Sequence, residues 1–126
     1  MNDTIVEFKG DHIHLINSLG FIIDEESATK TIKNIAKICK QHKCYRILLE
    51  CESPEIILTI SNVFQIGEYI SYSLPLSKIA FCFYNYKKDI VSDFFKTVTF
   101  NRGISIEFFQ NKKTAINWLK SGISTS

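Results

Sequence analysis

The sequence predicts a mixed α/β domain. It has a central, mostly parallel sheet with an N-terminal hairpin and about four helices, in the order β-β-α-β-α-β-α-β-α. Three observations carry this. Thr4–Phe8 and His12–Ile16 are two β-prone stretches joined by the turn Lys9-Gly10-Asp11, which reads as an antiparallel hairpin. From there on, strand-like and helix-like patterns alternate, which implies parallel strands joined by right-handed crossovers with helices packed on the sheet. Finally, Tyr45–Cys51 has an unbroken apolar centre, as a parallel strand buried on both faces has. All 126 residues fit one domain, 1–126.

Each later element has its own signal. Asp24, Glu25 and Glu26 put negative charge where a helix begins. Ala28, Ile32, Ile35, Ala36 and Cys39 then recur at helical spacing, with Lys30, Lys33, Lys37 and Lys40 on the opposite face. After the Tyr45–Cys51 strand, Ser53 is expected to cap a second helix that opens with Pro54 and runs over Glu55–Leu74 to the stop at Pro75. Lys78–Tyr84 is a strand, and Asn85–Asp89 is a polar loop. Val91, Phe94, Phe95 and Val98 give a third helix, closed by Asn101-Arg102-Gly103. Ile104–Phe109 is the last strand. Asn111 caps a last helix that turns Ala115, Trp118 and Leu119 inward and stops at Gly122, after which the tail (121–126) should fray.

Composition excludes several classes of function. A net charge of +2, with arginine only at Arg46 and Arg102, is a poor match for nucleic acid. No run reaches the roughly 18 apolar residues of a membrane-spanning helix, and no basic leader with an apolar stretch follows Met1-Asn2-Asp3. A cytoplasmic location is expected. Cys39, Cys44, Cys51 and Cys82 form no C-x-x-C pair and read as reduced, packed thiols. No phosphate loop, dinucleotide fingerprint or nucleophile elbow is present, so no catalytic residue, metal or cofactor is expected. His12 and His14 share one strand face, which reads as exposed rather than as part of a metal site.

Two places invite a binding role. Ligands of open α/β sheets sit at the carboxyl ends of the strands. Glu50, Glu52 and Ser53 should end on the same edge as Asn85, Tyr86, Lys87 and Lys88, with Lys87 or Lys88 as an anion contact; a plain connecting loop is the simpler reading. The second helix is the other place. It carries only two charges, Glu55 and Glu68, and its apolar residues cover more than one face. Ile57, Phe64, Tyr69 and Tyr72 are therefore candidates for a homodimer or partner-protein surface, or for one wall of a pocket for a lipid-like ligand.

The order of elements resembles the STAS domain, and within it the SpoIIAA-like branch of small bacterial proteins. Three stretches carry the likeness: Tyr45–Cys51, Lys78–Phe83, and Ile106–Leu119 with its strand ending in Phe and its Ala-x-x-Trp-Leu helix. The resemblance implies a non-enzymatic, regulatory domain that binds a protein, a nucleotide or a lipid-like ligand. In anti-sigma-antagonist members a Ser or Thr at the junction of middle strand and next helix is a phosphorylation switch. Ser53 is the hydroxyl at that junction here. The chain has no Asp-Ser-Ser-Gly-like stretch there, and Glu52 and Glu55 flank Ser53 with charge that opposes a phosphate.

Overall fold

A computed structural model describes residues 2–121. Five strands form the main sheet: β1 (Thr4–Phe8), β2 (Ile13–Asn17), β4 (Arg46–Cys51), β6 (Lys78–Phe83) and β7 (Ser105–Phe109), in the order β1-β2-β4-β6-β7. The β1–β2 hairpin is antiparallel, and every other neighbour pair is parallel. The helices are α1 (Glu25–His42), α2 (Ile60–Ser73), α3 (Ile90–Phe100) and α4 (Lys112–Lys120). The mixed α/β architecture is therefore the one the sequence predicts. No helix among the described residues is long and apolar enough to cross a membrane. Of the tail 121–126 expected to fray, Ser121 is held by its N–H on Asn117 O and Trp118 O, each at 3.1 Å, while the expected stop at Gly122 and the rest of the tail lie outside the described residues.

Strand alternation divides the side chains between two layers. Ile13, Leu15, Ile47, Leu49, Cys51, Ile79, Phe83 and Ile106 face α1 and α2 in the large core. Leu48, Ala80 and Cys82 point the other way, under Ala115 and Leu119 of α4. The central residues of β4, Ile47 to Leu49, are buried consecutively because helices cover both faces. α4 is anchored at its carboxyl end by cations on its last carbonyls: Lys78 Nζ donates to Trp118 O at 2.6 Å, and Arg46 Nε to Leu119 O at 3.3 Å.

Local caps explain most boundaries. The Asp24 carboxylate accepts from Ser27 N at 2.8 Å and starts α1. Asn111 Oδ1 accepts from Thr114 N at 3.0 Å and starts α4. Gly103 takes the left-handed conformation expected of it, with φ 80°.

The start of the second helix is corrected. Ser53 does not cap it, and Pro54 is not its first residue. Residues Glu55–Ile56 instead form a short strand, β5, paired in parallel with β3 (Ile22–Ile23) in a separate two-stranded ribbon. Glu55 N donates to Phe21 O at 2.9 Å and Ile57 N to Ile23 O at 2.8 Å. These tertiary bonds commit the backbone to an extended path that a helix from Pro54 would forbid. The helix begins only where Thr59 and Asn62 form a reciprocal capping box, with Thr59 Oγ1 accepting from Asn62 N at 3.0 Å.

The exposed reading of the histidine pair is also corrected. His12 and His14 are both buried, and β2 starts at Ile13, so His12 lies just before the strand. The face they share is closed by polar partners rather than by solvent.

The candidate site, a cleft at the carboxyl edge of the sheet

Two adjoining hollows lie on the face covered by α1, α2 and α3. The first, partly open, has a volume of about 100 Å³ between α1, α2 and the sheet, walled by residues such as Ile32, Ile35, Leu49, Ile66 and Ile70. Protein interiors rarely hold a void larger than a water molecule, so a hollow of this size in a small domain is unusual. Its polar edge is already engaged. Thr4 Oγ1 donates to Asn17 Oδ1 at 2.8 Å, and the Ser27 hydroxyl donates to Ile22 O at 2.9 Å. What remains for an occupant is hydrocarbon wall.

The second hollow is an open cleft of about 390 Å³ at the carboxyl ends of β4 and β6. Ile23, Leu58, Val63, Phe81 and Phe95 line both spaces and form the throat between them. One lip is the β5 segment, with Pro54, Ile56 and Leu58. The other is the loop Asn85–Asp89 and the start of α3. That second lip is held firmly. Tyr86 stacks on Phe108 with ring centroids 5.0 Å apart, its hydroxyl lies 3.0 Å from Ser92 Oγ, and Gln110 Nε2 donates to the Tyr86 carbonyl. Asp89 caps α3, accepting from Ser92 N at 2.7 Å. Tyr86, Asp89 and Ser92 thus spend their polar groups on one another, while Asn85 and Lys87 keep theirs at the mouth.

The residues expected to converge are distributed as follows. Asn85, Tyr86 and Lys87 line the cleft, and Lys88 is exposed beside it. Ser53 is half-buried next to Pro54, and Glu52 is exposed on the same lip. With the helix starting at Thr59, Ser53 has no helix N-terminus beside it to receive a phosphate. Glu50 turns away to the opposite face of the sheet, because it alternates with the inward-facing Leu49 and Cys51.

There Glu50 joins a cluster that sequence reasoning did not assemble. His14 Nε2 lies 2.7 Å from Glu50 Oε1, and the Tyr84 hydroxyl donates to Glu50 Oε2. The bonds join β2, β4 and the turn that follows β6, which no local pattern reveals; the parallel register of β2 and β4 brings the groups together. Burial alone would raise the Glu50 carboxyl, but the bonds from Tyr84 and His14 and the charge of Lys112 outweigh it and hold the group below its ordinary range. Burial and the same carboxylate push the Tyr84 hydroxyl up. No group of three or more metal-ligating side chains occurs among the described residues.

The second helix spends much of its apolar excess on burial. Val63, Ile66, Gly67 and Ile70 are buried, and the helix packs against both α1 and α3. At Gly67 a Cβ would stand 2.6 Å from Val98 Cγ1, so glycine permits the close approach of α2 to α3. Tyr69 is half-buried against the core. Phe64 is partly covered by the Arg102 guanidinium, 5.0 Å from its ring centroid. Tyr72 is 84% exposed, and Ile57 is exposed beside the cleft.

The fold has a recognisable relative. The chain has a SpoIIAA-like fold. It is similar to the crystal structure of an uncharacterized protein of the DUF3478 family from Shewanella loihica PV-4, described as having that fold. The two share 12% sequence identity with a TM-score of 0.50 over 94% of this chain and 93% of the other. Neither a family model nor a curated protein matches the chain.

Proposed function

We propose that this protein is a non-enzymatic module that binds a small apolar, lipid-like ligand in the cleft between β5 and α3. The observation behind this reading is a pair of adjoining, partly open hollows, one walled almost wholly by hydrocarbon, the other with a polar rim. The open cleft falls in the usual size range of ligand sites, and a mostly apolar wall with a few convergent polar groups is what such sites show. The ligand's apolar body enters past Phe81 and Phe95, and its polar or anionic head stays at Asn85 and Lys87. Burial supplies most of the affinity, at about 25 cal/mol per Å² of apolar surface removed from water. The reading of α2 as a homodimer or partner-protein surface is less well supported, because flanking helices already cover much of it.

Titration with cis-parinaric acid tests the reading. The probe's fluorescence should rise on binding, and Leu58→Trp, which narrows the throat, should abolish the rise while leaving the circular dichroism spectrum unchanged. No binding by the wild-type protein, together with a ligand-free mass after native purification, would sink it. For Ser53, a phosphomimetic Ser53→Asp variant should leave probe binding unaltered.

A further inference from the structure

The two edges of the main sheet are finished differently. On β7 the edge is guarded. The Glu107 carboxylate accepts from Phe108 N at 3.1 Å and ion-pairs with Lys96 of α3 at 2.9 Å, and α3 and α4 both pack against the strand. Charged side chains and covering helices are how a sheet stops other chains from pairing with its edge. β1 has no such guard. Ser18 N donates to Asp3 O and Lys9 N to His12 O, each at 2.9 Å, so the odd-numbered residues of this antiparallel ladder bond to β2. The backbone N–H and C=O groups of Thr4, Val6 and Phe8 therefore point outward, and none of them has a hydrogen-bond partner among the described residues. The strand reads Thr-Ile-Val-Glu-Phe, β-prone and free of proline, with Ile5 60% and Phe8 40% exposed.

We propose that β1 pairs antiparallel with β1 of a second copy of this chain, about a two-fold axis at Val6, so that the two five-stranded sheets become one. Charge complementarity selects both the partner and the register. With Val6 opposite its own copy, Thr4 meets Phe8 through the outward backbone groups, and Asp3 falls opposite Lys9 at both ends. A shift of two residues is the smallest that keeps each side chain on its own face of the sheet. Shifted one way, Glu7 stands opposite Glu7; shifted the other way, Asp3 stands opposite Glu7. Like charges directly opposite destabilise a strand pair, so both neighbouring registers are disfavoured. In the proposed register Ile5 lies diagonal to its own copy, and each shields the other from water. The contact is isologous and occupies the free edge of both copies, so it closes at a dimer instead of growing into a fibre. β1 lines neither hollow, so this inference stands apart from the ligand reading.

Analytical ultracentrifugation tests this. The wild-type chain should form a dimer that dissociates on dilution. Asp3→Lys and Lys9→Glu each set like charges opposite one another, and each should weaken dimerisation at least about tenfold, since the change acts at both ends of the pairing. The double variant Asp3→Lys, Lys9→Glu restores opposite charges and should dimerise within about threefold of the wild type. Both positions are exposed, so these variants keep the fold. Val6→Pro removes an outward N–H at the axis and should leave monomer alone. Should it fail to fold, as circular dichroism would show, the charge reversals decide. Amide exchange reads the same contact directly: the Val6 and Phe8 amides should be protected in the dimer and exposed on dilution. A wild-type chain that stays monomeric overturns the proposal. A dimer indifferent to both single reversals overturns it as well, because the copies then meet at another face. A dimer that the double variant fails to restore overturns the register and with it the choice of partner.

Discussion

The two faces of the central sheet solve the same covering problem in different ways. On one face three helices span the sheet yet leave a hydrocarbon-walled void, partly open, and a cleft adjoining it. On the other, a single short helix packs small residues tightly, with Ala80, Cys82 and Ala115 fully buried around Leu48 and Leu119. The strip of sheet beyond that helix is closed by hydrogen-bonded polar groups, His14, Glu50 and Tyr84. The difference teaches where to look for function. Dense packing and satisfied polar groups leave nothing for a ligand to gain, whereas an unfilled apolar face holds contacts that the chain itself has not made.

The largest effect expected from this contrast is at Leu48. It is completely buried under α4, so Leu48→Ala should cost about 4 kcal/mol in urea unfolding, from lost transfer energy and the new cavity. Leu58 lines the void and is only half-buried, so Leu58→Ala should cost about 1 kcal/mol. Equal losses at the two positions would break the comparison.

The polar cluster gives the next effect. Glu50→Leu strands His14 and Tyr84 without their shared acceptor and should cost about 3 kcal/mol. Glu50→Gln keeps an acceptor and should cost less. The two chains should also differ in their pH dependence. A carboxyl held below its ordinary value in the folded state adds stability that is fully present above that value, 4.5 here. The addition is lost as pH falls through the folded value. Wild type should therefore lead Glu50→Gln at pH 7 and lose that lead below about pH 4.5. A constant gap across this range would show that the carboxylate charge contributes nothing.

How far these regions were legible in the sequence follows from the range of the forces involved. The order of elements, the acidic helix start at Asp24, the cap at Asn111 and the left-handed Gly103 are set by neighbours a few residues away, and local patterns expose them. The β3–β5 ribbon is two residues per strand, too short for any periodicity, and it displaced the helix start from Ser53 to Thr59. Ser53-Pro54 satisfies the rule for a helix start, yet backbone bonds to Phe21 and Ile23 prevail. The sequence also placed Asn85, Tyr86 and Lys87 at a sheet edge where ligands bind, because that edge follows from topology alone. The pairing of Glu50 with His14, and with it the burial of His14, joins positions 36 apart, which spacing cannot disclose.

A smaller effect sits where α2 meets α3. Gly67→Ala places a methyl against Val98 Cγ1, and the helices must part. Alanine's better helix propensity returns up to about 1 kcal/mol, while overpacking costs about 1–3 kcal/mol. The net result should be a loss of about 1 kcal/mol, with a lower thermal midpoint. Serine should be no better. A gain in stability would mean that the two helices shift freely, and the throat between them and the sheet would then have no fixed width.

The smallest effect is the most informative about the void itself. Ala28 lies half-buried on α1 at its edge. Ala28→Leu extends hydrocarbon into empty space, keeps a strong helix former and disturbs no hydrogen-bonding side chain. Filling a cavity commonly adds about 0.5 to 2 kcal/mol, and the lower figure is expected here because the new side chain loses rotamer freedom. Stability and binding should then move in opposite directions, with a raised thermal midpoint and weaker uptake of cis-parinaric acid. A chain that stabilises without losing uptake would confine the ligand to the outer cleft. One that loses stability would show that the void is closed by motion of α1, and the contrast between the two faces would rest on packing density alone.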